Sequence, residues 1–120
     1  MIKHDITIDK MSTEYFRTLS WALERYGAIL NDLGARAPMS NEAKDHSICL
    51  EVYFKLEPKV SKRELSKPLA DRERQNKSLK VPVHAGIVII DALHQVNGER
   101  DFSQTPAMEH IKEQISKQLL

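Results

Sequence analysis

Ile48-Cys49-Leu50-Glu51-Val52-Tyr53-Phe54-Lys55-Leu56 is the stretch on which the fold class turns. Its apolar residues Ile48, Leu50, Val52, Phe54 and Leu56 fall on every second position, the period of a half-buried strand. Read as a helix, the same run is apolar nearly all round, as a central helix of a bundle is, and Glu51 and Lys55 become a favourable i,i+4 pair. The two readings lead to different proteins. The strand reading calls for a partner, and the N-terminal segment offers one, with Ile2, Ile6 and Ile8 spaced as in a short strand around His4.

The rest of the chain is mostly helical in pattern. Phe16, Leu19, Leu23, Tyr26, Leu30 and Leu33 follow one another at spacings of 3, 4, 3, 4 and 3, a stripe about six turns long. Ser12 or Thr13 can cap this helix, Glu14 suits its positive end, and Gly34 and Pro38 mark its stop. Tyr15, Ala22 and Ile29 widen the stripe on one side, and Trp21 lies off it. Ser40 can cap a second helix opening at Asn41, and Pro58 ends the element that contains residues 48–56. Pro82 suits a first helical turn, followed by Val83, Ile87, Ile90, Leu93 and Val96 or Asn97, although the β-branched run Ile87–Ile90 also reads as a strand. Thr105 and Pro106 open a last helix with Met108, Ile111, Ile115 and Leu119 on one face. The expected fold is a mainly α, four- to five-helix single domain over residues 1–120 with a short extended N-terminal segment. The alternative is an α+β domain, with a small sheet from residues 2–8, 48–56 and 83–90 backed by two helices.

Charge is unevenly spread. The 22 residues Lys59–Lys80 hold eight basic and three acidic side chains, a net +5 in a chain of net +1, so the remainder is at −4. Such a segment belongs on the surface and can face an acidic partner. Within it, Leu65 and Leu69 indicate a short helical turn interrupted by Pro68, and Ala70–Lys77 reads as a helical or mobile surface stretch.

At 120 residues, 41% hydrophobic and 29% charged, the chain is suited to one core without disulfides. The single cysteine, Cys49, cannot form an internal bridge and reads as a buried thiol. Met1–Lys10 lacks a signal-peptide apolar run, and no stretch approaches a membrane span, so a cytoplasmic protein is expected.

The common catalytic signatures are missing. The glycines Gly27, Gly34, Gly86 and Gly98 are isolated, and there is neither an H-E-x-x-H nor a G-x-S-x-G pattern. Asp91 with His94, and His110 with Glu113, offer helical i,i+3 carboxylate–imidazole pairs of the kind that hold metals in bundles, but their positions are those of polar edges of amphipathic helices, which is the reading preferred. Adjacent Asp45 and His46 point about 100° apart on a helix and form no dyad. No catalytic residue, cofactor or metal is therefore expected. The expected function is a small binding or regulatory protein, an inhibitor or adaptor working through protein–protein contacts. Lys62, Arg63, Lys67, Arg72, Arg74 and Lys77 are its candidate contact residues, and a homodimer is expected over the widened stripe at Tyr15, Ala22 and Ile29. The alternative is a nucleic acid on the same cations, although the segment carries no stacking aromatic residue.

Overall fold

Both ambiguous runs are helical. The computed structural model describes residues 5–32 and 41–119. In order, the elements are strand β1 (Asp5–Met11), helices α1 (Thr13–Asp32) and α2 (Asn41–Leu56), the single-turn helices α3 (Lys62–Leu65) and α4 (Leu69–Arg72), strand β2 (Lys77–Pro82), and helices α5 (Val83–Gln95) and α6 (Thr105–Leu119). The mainly α reading holds. Ile2, Leu33, Gly34, Pro38 and Ser40 lie outside the described residues.

The α2 run alternates in sequence, yet it buries Cys49, Val52 and Leu56, an i, i+3, i+7 set. The five alternating apolar residues divide between faces, with Val52 and Leu56 inward and Leu50 and Phe54 outward. The expected Glu51–Lys55 pair gives way to another contact, since Lys55 Nζ donates to the Lys80 carbonyl.

β1 does form, but its partner is β2, not residues 48–56, and residues 83–90 contribute no strand. The tail of the basic segment, Lys77-Ser-Leu-Lys-Val-Pro, alternates charge or hydroxyl with apolar side chains. The antiparallel register sets Ile6 opposite Val81 and Ile8 opposite Leu79, and all four are buried. A bulge between Ile8 and Met11, with Lys10 at φ 56°, returns Met11 to the core. A two-stranded ribbon has two open edges, and helix side chains serve both. Gln118 of α6 accepts from the Thr7 N–H at 2.9 Å and donates to the Thr7 carbonyl at 2.5 Å. Lys55 of α2 serves Lys80 on the other strand.

α1 buries Phe16, Leu19, Leu23, Tyr26 and Leu30, as its spacing predicts, and Ser12 is its cap, accepting from the Tyr15 N–H at 3.1 Å. α6 buries Met108, Ile111 and Ile115. α5 is rotated from the expected stripe: Ala85, Gly86, Val88, Ile89, Ala92 and Leu93 face inward, as does Val96 just beyond its end, and Ile87 is exposed. Gly86 lets α5 approach β1 closely: a Cβ there would lie 2.6 Å from Ile6 Cδ1 and would force that side chain to shift. No helix among the described residues is long and apolar enough to cross a membrane.

Candidate interaction surfaces

The basic segment folds as a strap. After a turn at Glu57–Val60, Ser61 caps α3 by accepting from the Glu64 N–H, and Pro68 sets the start of α4. Four-residue helices bury little, and none of the residues of α3 and α4 is buried. Polar ties to α1 hold the strap instead. Arg72 Nη1 donates to Glu14 Oε1 at 2.6 Å, Gln75 Nε2 donates to the Tyr15 hydroxyl at 3.1 Å, and Lys59 Nζ stands 5.1 Å over the Phe16 ring. Arg72 Nε also donates to the Lys67 carbonyl at 3.0 Å, joining α4 to the preceding turn.

These ties redistribute the cations expected to meet a partner. Arg72 pairs with Glu14, Lys67 with Glu64 at 3.0 Å, Arg74 with Asp71 at 3.5 Å, and Lys80 with Asp5 at 3.5 Å. The Lys67 hydrogen bond, helped by the charges of Lys67, Lys77 and Arg63, holds the Glu64 carboxyl below its usual range. Lys62, Arg63 and Lys77 have no carboxylate within ion-pair distance among the described residues. With Glu14 and Asp5 added to the three acids of the segment, the net charge around its eight cations falls from +5 to +3.

The expected dimer face fares differently. Ala22 is fully buried by the chain's own core and is not available to a second copy. Tyr15 is half-buried, tied to Gln75 and tilted against the His110 ring with centroids 5.4 Å apart. Ile29 packs against the core. The stripe is broad because α2, α5 and α6 all pack on α1, so the width seen in sequence is covered internally.

Apolar surface is open elsewhere. On α2, Leu50 is 42% exposed and Phe54 57%, four residues apart on one face. Tyr53 meets Phe54 edge-on, with ring centroids 5.8 Å apart. Beside them a groove of about 360 Å³ runs between α1 and α2, lined by Leu23, Glu24, Gly27, Ala28, Asn31, His46, Cys49, Leu50 and Tyr53. A second, polar cleft of about 650 Å³ lies across α1, between the strap and the start of α6. Trp21 and Tyr15 line it, together with Glu14, Arg17, Leu69, Glu73, Asp101 and Gln104. Phe102, 94% exposed, projects from the turn beside this cleft. Spacing along the sequence marks neither Phe102 nor the cleft, whose walls come from three separate stretches of chain.

His110 Nε2 lies 2.7 Å from the Asp9 carbonyl, which only accepts, so this nitrogen carries a proton. Asp91 and His94 sit on the exposed side of α5. Among the described residues no three of His, Cys, Asp and Glu gather into a metal-holding group. His46 lines the α1–α2 groove. The Cys49 thiol is pushed up to about 12, by burial first and then by Asp45 and Asp91, so it is a protonated core group at neutral pH and a poor nucleophile. No protein-family model, curated protein or solved structure matches the chain.

Proposed function

We propose that this chain is a small non-enzymatic binding protein that acts through protein–protein contacts, with the outer face of α2 as its contact surface. The observation that carries this reading is the exposure of Phe54 and Leu50 on one face of α2, beside an apolar groove between α1 and α2. Burial of two such side chains contributes about 1.5–3 kcal/mol each, enough to anchor an interface. The partner that fits is an amphipathic segment, most simply a helix laid along the groove. α3, which carries Lys62 and Arg63, packs on the turn that closes α2. Acidic side chains at one end of the partner segment would therefore meet unpaired cations, which favours an acidic partner and orients it.

Nucleic acid is the second reading, and Lys62, Arg63 and Lys77 are the residues that favour it. Pairing of the other cations with carboxylates weighs against it, because phosphate contacts need cations free to exchange counterions.

Capture from nuclease-treated lysate, comparing the wild type with Phe54→Arg and with Lys62→Glu/Arg63→Glu, tests the proposal. A protein retained by the wild type and lost from Phe54→Arg is expected. Retention by Phe54→Arg contradicts it. Capture that depends on intact nucleic acid and disappears steeply with salt moves the reading to the second.

A further inference from the structure

Phe102 is the most exposed large apolar side chain in the described protein, at 94%, and it is not on a loose loop. It opens a short helical turn, Phe102–Gln104, held by a reciprocal cap in which the Asp101 carboxylate accepts from the Gln104 N–H and Gln104 Oε1 accepts from the Asp101 N–H at 2.8 Å. On the N-terminal side, Arg100 Nε donates to Thr105 Oγ1 at 3.0 Å and Arg100 Nη1 to the Asn97 carbonyl at 2.5 Å. One turn earlier, Glu99 pairs with Arg25 of α1 at 2.6 Å. A phenyl ring presented on a backbone fixed at both ends loses little entropy when it docks.

The neighbours of Phe102 on both sides, Asp101 and Ser103, line the 650 Å³ cleft, while Phe102 itself points out of it. The cleft offers what a phenyl ring needs, the Trp21 and Tyr15 rings with the Leu69 side chain, and its volume is in the range of sites that enclose a bound group. Its carboxylates are Glu14, Glu73 and Asp101; Glu14 is paired with Arg72 and Arg17, whereas Glu73 has no ion-pair partner among the described residues. The turn that presents Phe102 carries the exposed Arg100 two residues before it.

We propose that two copies of this chain form a two-fold dimer in which Phe102 of each enters the other's cleft, with Arg100 facing the other copy's Glu73. Anchor and cleft adjoin on one surface, so a two-fold axis beside the Asp101–Gln104 turn satisfies both contacts at once and closes the assembly. Each site is incomplete without the partner copy, which supplies both the ring and the cation. This surface shares no residue with the α2 groove, so the two proposals succeed or fail separately.

Trp21, the chain's single tryptophan, lies in the cleft and reports on it. Sedimentation velocity and Trp21 emission are measured on the intact chain from low micromolar to near-millimolar concentration. A concentration-dependent dimer is expected, with Trp21 emission moving to shorter wavelength as it forms. Phe102→Ala is expected to weaken association at least tenfold and to abolish the emission change, and Glu73→Arg to weaken it as well. Phe102 and Glu73 are exposed, so both variants are expected to melt with the wild type, which separates lost contact from lost fold. A wild type that stays monomeric throughout, or a dimer that Phe102→Ala leaves unchanged, overturns the proposal.

Discussion

Arg72 and Glu14, 58 residues apart in the chain, meet at 2.6 Å, and their contact joins the basic strap to the first turn of α1. The arginine also holds the Lys67 carbonyl, and Glu14 is shared with Arg17 at 3.2 Å. A half-buried pair inside such a network keeps its geometry better than an isolated surface pair. Cations that would otherwise face outward are thereby used to hold the fold.

Arg72→Ala is expected to loosen the strap more than the domain. Trypsin cleavage after Lys62 and Arg63 should accelerate several-fold, while global unfolding free energy falls by less than about 1 kcal/mol. A loss of several kcal/mol would mean that the strap and the core unfold together.

Thr13 is buried at the start of α1, and its hydroxyl has no hydrogen-bond partner among the described residues. Thr13→Val keeps the branched shape and removes the stranded polar atom, so a gain of about 1 kcal/mol is expected in chemical denaturation. A loss of similar size would show that the hydroxyl is satisfied in solution.

Gly86 and Ile6 compete for one volume. Gly86→Ala gains about 1 kcal/mol of helix propensity but crowds the fully buried Ile6, at about 1–3 kcal/mol, for a net loss. Ile6→Val removes the crowding methyl and alone costs about 0.5–1.5 kcal/mol. The double variant is expected to be more stable than the two single effects added, by about 1 kcal/mol. Strict additivity would contradict the close approach.

Cys49 carries an alkaline signature. Its thiol ionises near 9.0 when unfolded and near 12 when folded. Above pH 9 the unfolded chain releases this proton while the folded chain retains it, so the contribution to stability falls as pH rises and levels off above about 12. The fall is about 1.4 kcal/mol per pH unit. Unfolding free energy of the wild type, referred to Cys49→Ala, is expected to follow this slope from pH 9 upward. Parallel curves would show an exposed thiol.

Much of the fold was legible where one face alone is apolar. Phe16 to Leu30 on α1 and Met108 to Ile115 on α6 each mark a single stripe, and the structure buries those residues. Residues 48–56 misled because their alternation is also what results when one helix buries Val52 and Leu56 and exposes Leu50 and Phe54. On α5 the run Ile87–Ile90 has no polar residue to set its phase, and the true inward face contains Ala85, Gly86 and Ala92, small residues that a stripe of large ones omits. β2 was hidden by its own charge: Lys77 and Lys80 count toward a basic segment before Leu79 and Val81 count as a strand. The strap ties and the cleft beside Phe102 depend on contacts between distant stretches, such as Gln75 with Tyr15, which spacing along one element does not encode.

The most direct measurement is amide hydrogen exchange, resolved by residue, across Lys59–Pro82. The register and the absence of an N–H on Pro82 place Ile6–Val81 and Ile8–Leu79 as the mutually hydrogen-bonded pairs. The Leu79 and Val81 amides are therefore expected to exchange with the slow core, at rates near those of Leu19 and Leu23. Amides of α3 and α4 are expected to be protected less, and to lose that protection in Arg72→Ala. Uniformly fast exchange from Lys59 to Pro82 would contradict the account, since the segment would then be a free cationic arm with all eight of its charges available to a polyanion.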